Sequence, residues 1–278
     1  MSGRLVQEVQ QLAASAPLQT VGGDLTGGYR ATGAGARLLI VLPGLVGPAD
    51  ALAALAVALG AGWRTIFVTY PRAASLGDLI DWLEAVRARE GAAVASVYGG
   101  SFGGLVAQAW LTAHPEAFGD IVLSGTGPPD AARAARNLRT LGWLARLPMP
   151  MWRAALRLAV WLSTRRAPDR ASWRSFYAEA IRGLEWRDLE SRYRISIGTD
   201  EGGPPHAGTL ARWRGRMLVL EGEHDRVARS RVRAALRTTY PDATFHTFAG
   251  AGHAPALEQP DEWLRVVVAF LNRRQEPR

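Results

Sequence analysis

Apolar strands alternating with amphipathic helices predict an α/β fold built on a mostly parallel, doubly wound sheet. A serine set among glycines at a strand-to-helix junction places a reactive turn inside that sheet. A long strand-free stretch beginning near Asp130 predicts a helical insertion. The 278 residues, 48% of them hydrophobic, suffice for one large core, or for a core plus an insertion.

The elements follow in order. Leu5, Val6, Val9 and Leu12 have helical spacing, so the first segment reads as a short helix lying on the core. Met1 to Pro17 lacks a continuous apolar run and does not read as a signal peptide, which predicts a cytoplasmic location. The run from Arg37 to Leu42 is continuously apolar, as expected of a strand buried on both faces. It enters a loop, Pro43-Gly44-Leu45-Val46-Gly47-Pro48, before a helix over Ala49 to Leu59. Pro43, Gly44, Gly47, Pro48 and Asp50 interrupt the most apolar stretch, residues 38–62, and argue against an integral membrane segment. A strand over Thr65 to Thr69 meets the breaker Tyr70-Pro71-Arg72. Leu79, Ile80, Leu83 and Val86 share one face of a helix from Leu76 to Arg89.

The next strand leads into Gly99-Gly100-Ser101-Phe102-Gly103-Gly104, followed by a helix to about His114. Gly99, Ser101 and Gly103 fit the pattern G-x-S-x-G. A serine hydroxyl is a weak nucleophile unless it stands clear of the backbone beside a base. A sharp strand-to-helix turn lifts it clear and presses its neighbours together, so the residues two before and two after must lack side chains. The same turn frees the amide of Phe102 at a helix N-terminus, where it can stabilise a developing oxyanion.

After the strand Ile121 to Ser124 the rhythm breaks at Gly125-Thr126-Gly127-Pro128-Pro129. From Asp130 to about Thr209 the chain reads as helices, with Trp143, Trp152, Trp161, Trp173 and Trp186 among them; some of these are expected to roof the pocket. Residues 131–216 hold 17 arginines against 7 acids, a balance of +10, while the remainder carries −2. The division expected is a core of residues 1–130 and 209–278 around a helical cap of 131–208. The strand pattern resumes at Arg216 to Leu220, then a helix from Ser230 to Tyr240, a strand from Thr244 to Phe248, and a closing helix from Pro260 to Arg273.

Composition excludes several chemistries. There is no cysteine, hence no disulfide, zinc thiolate or cysteine nucleophile. All 33 basic residues are arginine, a compositional bias that removes the high charge as evidence for nucleic-acid binding, and no nucleic-acid module is present. The arginine excess reads as a solvated face ahead of a site for an anionic substrate or a membrane surface.

Ser101, with Asp225 in a G-x-x-D-x-V segment straight after a strand and His253 in a glycine-rich loop after the last strand, resembles the α/β-hydrolase-fold family with a helical cap. The resemblance covers roughly residues 20–130 and 209–275. It implies Ser101, Asp225 and His253 as nucleophile, acid and base in that chain order. Gly44-Leu45 matches the family loop that supplies the second oxyanion amide, which implies Leu45 N–H beside Phe102 N–H. Pro43 stands where many relatives carry histidine. The implied activity is a serine hydrolase acting on a small-molecule ester or similar acyl substrate with an apolar part, needing neither metal nor organic cofactor. A serine nucleophile argues against haloalkane dehalogenation, while aminopeptidase, thioesterase and C–C hydrolase chemistry stay open. Pro43, Gly47-Pro48-Ala49-Asp50 and Tyr70-Pro71 also resemble the maspardin branch, which implies the alternative of a binding or adaptor protein of unknown partner. Asp130 is the competing acid. His114, His206, His224 and His246 read as structural or solvated.

Overall fold

The computed structural model describes residues 4–21 and 27–273. Its strands are β1 (Gln19–Thr20), β2 (Gly28–Thr32), β3 (Arg37–Leu42), β4 (Trp63–Thr69), β5 (Ala95–Gly100), β6 (Phe118–Ser124), β7 (Met217–Gly222) and β8 (Thr244–Phe248). They form one eight-stranded sheet in the order β1-β2-β4-β3-β5-β6-β7-β8. The pairings of β1 with β2 and of β2 with β4 are antiparallel, and every pairing from β4 to β8 is parallel.

Among the described residues the helices are α1 (Arg4–Ser15), α2 (Ala53–Leu59), α3 (Leu76–Arg89), α4 (Phe102–Ala113), α5 (Ala131–Leu144), α6 (Met149–Ser163), α7 (Arg170–Gly183), α8 (Trp186–Gly202), α9 (Ala207–Arg212), α10 (Ser230–Thr239), α11 (Pro255–Glu258) and α12 (Pro260–Asn272). The helix expected over Ala49 to Leu59 begins as a 3-10 turn over Ala49–Leu52. The side chains of Leu5 and Val6 lie outside the described residues, whereas Val9 and Leu12 are buried.

The apolar run of β3 shows why it is continuous. Leu38, Ile40 and Leu42 face one core with Leu79, Leu83 and Val86 of α3, Val106 and Trp110 of α4, and Leu236 of α10. Leu39 and Val41 face the other core with Leu55 of α2 and Trp263, Val267 and Leu271 of α12. Successive residues of a strand point to opposite faces, so a strand covered by helices on both sides needs apolar residues throughout. Each such fully buried side chain contributes roughly 1.5–3 kcal/mol. Asn272, at the end of α12, ties that helix to the starts of β3 and β4: its Oδ1 accepts from Arg37 Nη2 and from Trp63 Nε1, both at 2.9 Å.

The strand-free stretch is helical, as its sequence indicates, and α5 to α9 are inserted between β6 and β7. Helix α8 packs on α3, α4 and α5, and α6 packs on α7. Ser191 of α8 donates from Oγ to the Ala73 carbonyl at 2.7 Å, and Arg72 pairs with Asp188 at 2.7 Å, so α8 is anchored to the core. Trp152, Leu156, Ile181 and Leu189 make a small apolar centre of the insertion's own. Among the described residues no helix is long and apolar enough to cross a membrane.

Chain order reverses at β3. Its neighbours are β4 on one side and β5 on the other, with Leu42 opposite Gly99 in the β3–β5 register. Carboxyl ends of strands at such a reversal border a natural crevice. The loop after β3 and the turn after β5 therefore meet there.

Candidate active site

Ser101 stands at that meeting point, between the last residue of β5 and the first of α4. Its φ is 51° and its ψ −112°, and among the described non-glycine residues it alone has positive φ. The neighbouring glycines hold this turn closed. A Cβ on Gly99 would lie 2.5 Å from the Gly103 carbonyl oxygen, and one on Gly103 would lie 2.3 Å from the Leu42 oxygen. Gly104 is equally constrained, by the Thr126 side chain at 2.6 Å, whereas Gly100 meets nothing closer than 3.7 Å. The spacing expected from the sequence therefore has the steric cause expected of it at positions 99 and 103.

The structure brings Ser101, His253 and Asp225 together in series. Ser101 Oγ is 3.1 Å from His253 Nε2, and His253 Nδ1 is 2.9 Å from Asp225 Oδ2. The other carboxylate oxygen of Asp225 accepts the amides of Val227 at 2.7 Å and Ala228 at 2.9 Å. Burial, which leaves the Asp225 side chain 1% exposed, pushes its pKa up. The hydrogen bond and charge of His253 and the two amides outweigh burial, so the net shift is downward and the ionised form is favoured. With its Nδ1 held against a carboxylate, the imidazole presents Nε2 to the serine as an acceptor.

Two contacts set the distance between the loops that carry Asp225 and His253. The His224 amide donates to the Ala251 carbonyl at 2.8 Å, and a Cβ on Gly222 would lie 1.8 Å from the Gly252 oxygen. Glu258, buried at the end of α11, accepts the Gly252 amide at 2.9 Å. Gly125, at φ 57°, faces the imidazole: a Cβ there would come within 3.3 Å of the ring and 2.8 Å of the His253 carbonyl oxygen. The sequence reading missed Glu258 in this role, because a lone glutamate in a helix carries no local signal.

Leu45 and Phe102 both border the cavity that holds Ser101. Neither amide has a hydrogen-bond partner among the described residues, so both donors are free. The loop bearing Leu45 is held by its carbonyls. Tyr70 Oη donates to Pro43 O at 3.1 Å, and Arg192 Nη1 of α8 donates to Leu45 O. Tyr70 also packs edge-on against the Phe102 ring, with centroids 5.3 Å apart. Pro43 leaves this geometry intact because only its carbonyl is used.

The competing residues go elsewhere. Asp130 caps α5, accepting the Ala132 amide at 2.9 Å, and its carboxylate lies 4.0 Å from Arg136. His246 faces Glu262 at 3.0 Å, His224 lies 4.0 Å from Glu223, His206 precedes α9 without a side-chain bond to it, and His114 ends α4. Among the described residues no group of three or more metal-ligating side chains is placed to hold an ion.

A cavity of about 1260 Å³ opens from Ser101. Leu105, Gly125 to Pro129, Tyr193 and Ser196 of α8, the start of α5 and the start of α10 form its walls. The expectation that insertion tryptophans roof this pocket is corrected: none of them lines it. Trp152 and Trp173 are buried in packing, and Trp143 and Trp161 are exposed. Tyr193 and Ser196 of α8 line the cavity instead, while Trp186 packs against Trp152.

The sheet order and the helices inserted after β6 define an α/β protein on the hydrolase fold. The chain belongs to the alpha/beta hydrolase family, which it matches over residues 30–266. No curated protein matches it. A hydrolase from Pseudomonas aeruginosa PA01 is similar in structure, with a TM-score of 0.75 at 19% identity over 94% of this chain and 100% of that one. A thermophilic esterase from Thermogutta terrifontis superimposes at a TM-score of 0.68, with 20% identity over 92% and 96% of the two chains. The 2-hydroxy-6-oxo-6-phenylhexa-2,4-dienoate hydrolase of Rhodococcus sp. strain RHA1 does so at 0.67, with 17% identity over 90% and 96%. At these identities the likeness establishes the fold.

Proposed function

We propose that this chain is a serine hydrolase of esters or similar acyl compounds, with Ser101 as nucleophile, His253 as general base and acid, and Asp225 as the residue that orients and stabilises the imidazolium. The observation that carries this reading is the unbroken hydrogen-bonded series from Ser101 through His253 to a buried carboxylate. His253 takes the Ser101 proton as Oγ attacks the substrate carbonyl. The carbonyl oxygen gains negative charge, and the free amides of Leu45 and Phe102 stabilise it. Collapse expels the alcohol, which leaves with the proton held on His253. Water then attacks the acyl-serine, delivering its proton to His253, and the acid departs as Ser101 is restored.

Residues 131–208 act in this reading as a cap, because α5 and α8 wall the cavity that contains Ser101. The cavity exceeds the roughly 300–1,000 Å³ typical of small-ligand pockets, which supports an extended acyl substrate. The esterase and the dienoate hydrolase among the similar structures agree with a hydrolytic reading of this site.

The test is labelling with a fluorophosphonate probe followed by p-nitrophenyl esters of increasing chain length. Labelling at Ser101 with measurable turnover supports the hydrolase. A chain that resists the probe and hydrolyses none of the esters favours instead the binding role suggested by Pro43 and Gly47-Pro48-Ala49-Asp50.

A further inference from the structure

Seven of the eleven most exposed large apolar residues lie between Leu138 and Leu162, on α5, α6 and the turn joining them. Trp143 is 72% exposed and Leu158 58%. Helix α6 is apolar on two opposite sides. Trp152, Leu156 and Val160 face the insertion's own centre, whereas Met151, Leu158 and Leu162, at i, i+7 and i+11, form one stripe in solvent. A helix needs only one apolar face to pack, so the second stripe calls for another partner.

Charge points to what that partner is. Residues 131–168 contain eight arginines and no aspartate or glutamate. Arg133 and Arg136 have carboxylate neighbours, and Arg153 donates to the Leu184 carbonyl. Among the described residues the other five, Arg139, Arg146, Arg157, Arg165 and Arg166, pair with no carboxylate. Arg146 lies over the exposed Trp143 ring, 5.8 Å from its centroid. Exposed tryptophan and leucine flanked by unpaired arginine match a bilayer boundary, where apolar rings enter the acyl region and guanidinium groups meet anionic headgroups.

We propose that the outer face of α5 and α6 docks on an anionic phospholipid surface. Met151, Leu158, Leu162 and the exposed tryptophans enter the boundary region while the five unpaired arginines bind headgroups. Arg136 and Asn137 of α5 border the Ser101 cavity, and Leu138 follows them directly. Docking therefore brings the mouth of the cavity to the lipid surface, and it holds whatever chemistry Ser101 performs.

The experiment is flotation of the full chain with vesicles of phosphatidylcholine alone and with about one-third phosphatidylglycerol. Two variants accompany it, Leu158→Ser with Leu162→Ser, and Arg157→Glu with Arg166→Glu. The wild type is expected to float with the anionic vesicles at least about tenfold more strongly than with neutral ones, and each double variant to lose about tenfold. Both variants should keep the melting temperature and any turnover of a soluble ester. Failure to bind anionic vesicles overturns the proposal. So does binding that the apolar variant leaves intact, which would mean charge attraction without insertion. A vesicle-free dimer that the apolar variant dissociates would assign the stripe to a second copy of the chain and also overturn it.

Discussion

The guanidinium of Arg192, on an inserted helix, donates to the main-chain carbonyl of Leu45, in the loop that faces the Ser101 hydroxyl. Burial lowers the Arg192 pKa, and the nearby Asp188 and Tyr70 oppose that shift. With Ser191 bonded to Ala73, this contact joins α8 to the core on either side of Tyr70. The insertion thus holds the backbone whose Leu45 amide is the proposed oxyanion donor.

Arg192→Met should therefore lower kcat by about 10- to 100-fold with little change in KM, because losing a well-aimed oxyanion donor costs up to about 10³-fold and this change only loosens one. Arg192→Lys should recover part of the loss. Steady-state kinetics on one p-nitrophenyl ester decides the matter; an unchanged kcat in the methionine variant removes Arg192 from any positioning role.

Ser101→Ala should abolish fluorophosphonate labelling and lower kcat by roughly 10³-fold or more. The alanine keeps the fold because, among the described residues, the hydroxyl makes only the bond to His253. Intact-mass spectrometry of labelled protein reads the first effect, and wild-type turnover in the variant would end the assignment.

Gly103→Ala should already be destabilising, by at least roughly 1–3 kcal/mol. The new methyl would meet the Leu42 and Pro43 carbonyls, which are backbone and cannot rotate away. Gly100→Ala, where the nearest atom is 3.7 Å distant, should cost far less. Thermal melts of the two variants compare them directly; equal melting temperatures would show that the elbow is not tightly packed.

Asp225 carries the pH dependence. Its folded pKa is depressed, so its contribution to stability is present above the ordinary carboxylate range and is lost as pH falls through the folded value. Asp225→Asn should flatten that acid limb of the stability curve and lower kcat by up to about 10⁴-fold, by analogy with other triads. Asp130→Asn should do much less, since asparagine also caps a helix. Melts from neutral to acid pH, with kcat for both variants, test the ranking, and a larger kcat loss at Asp130 reverses the acid assignment.

Much of the core and all three members of the Ser–His–Asp series were legible because each depends on local pattern. Strand β3 betrays double-sided burial by continuous apolarity, and Ser101, Asp225 and His253 each follow a recognisable strand. Strands β1 and β2 were not legible. They are short or partly polar, and the Gly28 to Thr32 run becomes a strand only by pairing antiparallel with β4. The Arg192–Leu45 contact was hidden for a related reason. Its partners lie 147 residues apart, and one arginine among thirty-three in the sequence carries no mark of the carbonyl it will meet. The tryptophans misled because burial of an aromatic ring depends on which face a helix turns inward, and Trp143 and Trp161 turn outward.

The bonds from Asn272 to Arg37 and Trp63 have a consequence for how the chain is made. During synthesis β3 to β6 emerge long before α12, so Leu39, Val41 and Phe67 wait without the helix that covers them. The serine emerges early as well, and its histidine follows 152 residues later. A nascent chain therefore carries the Ser101 hydroxyl without its imidazole partner, beside an apolar sheet face open to chaperones. Both conditions end together, when the last helix closes over the first parallel strands.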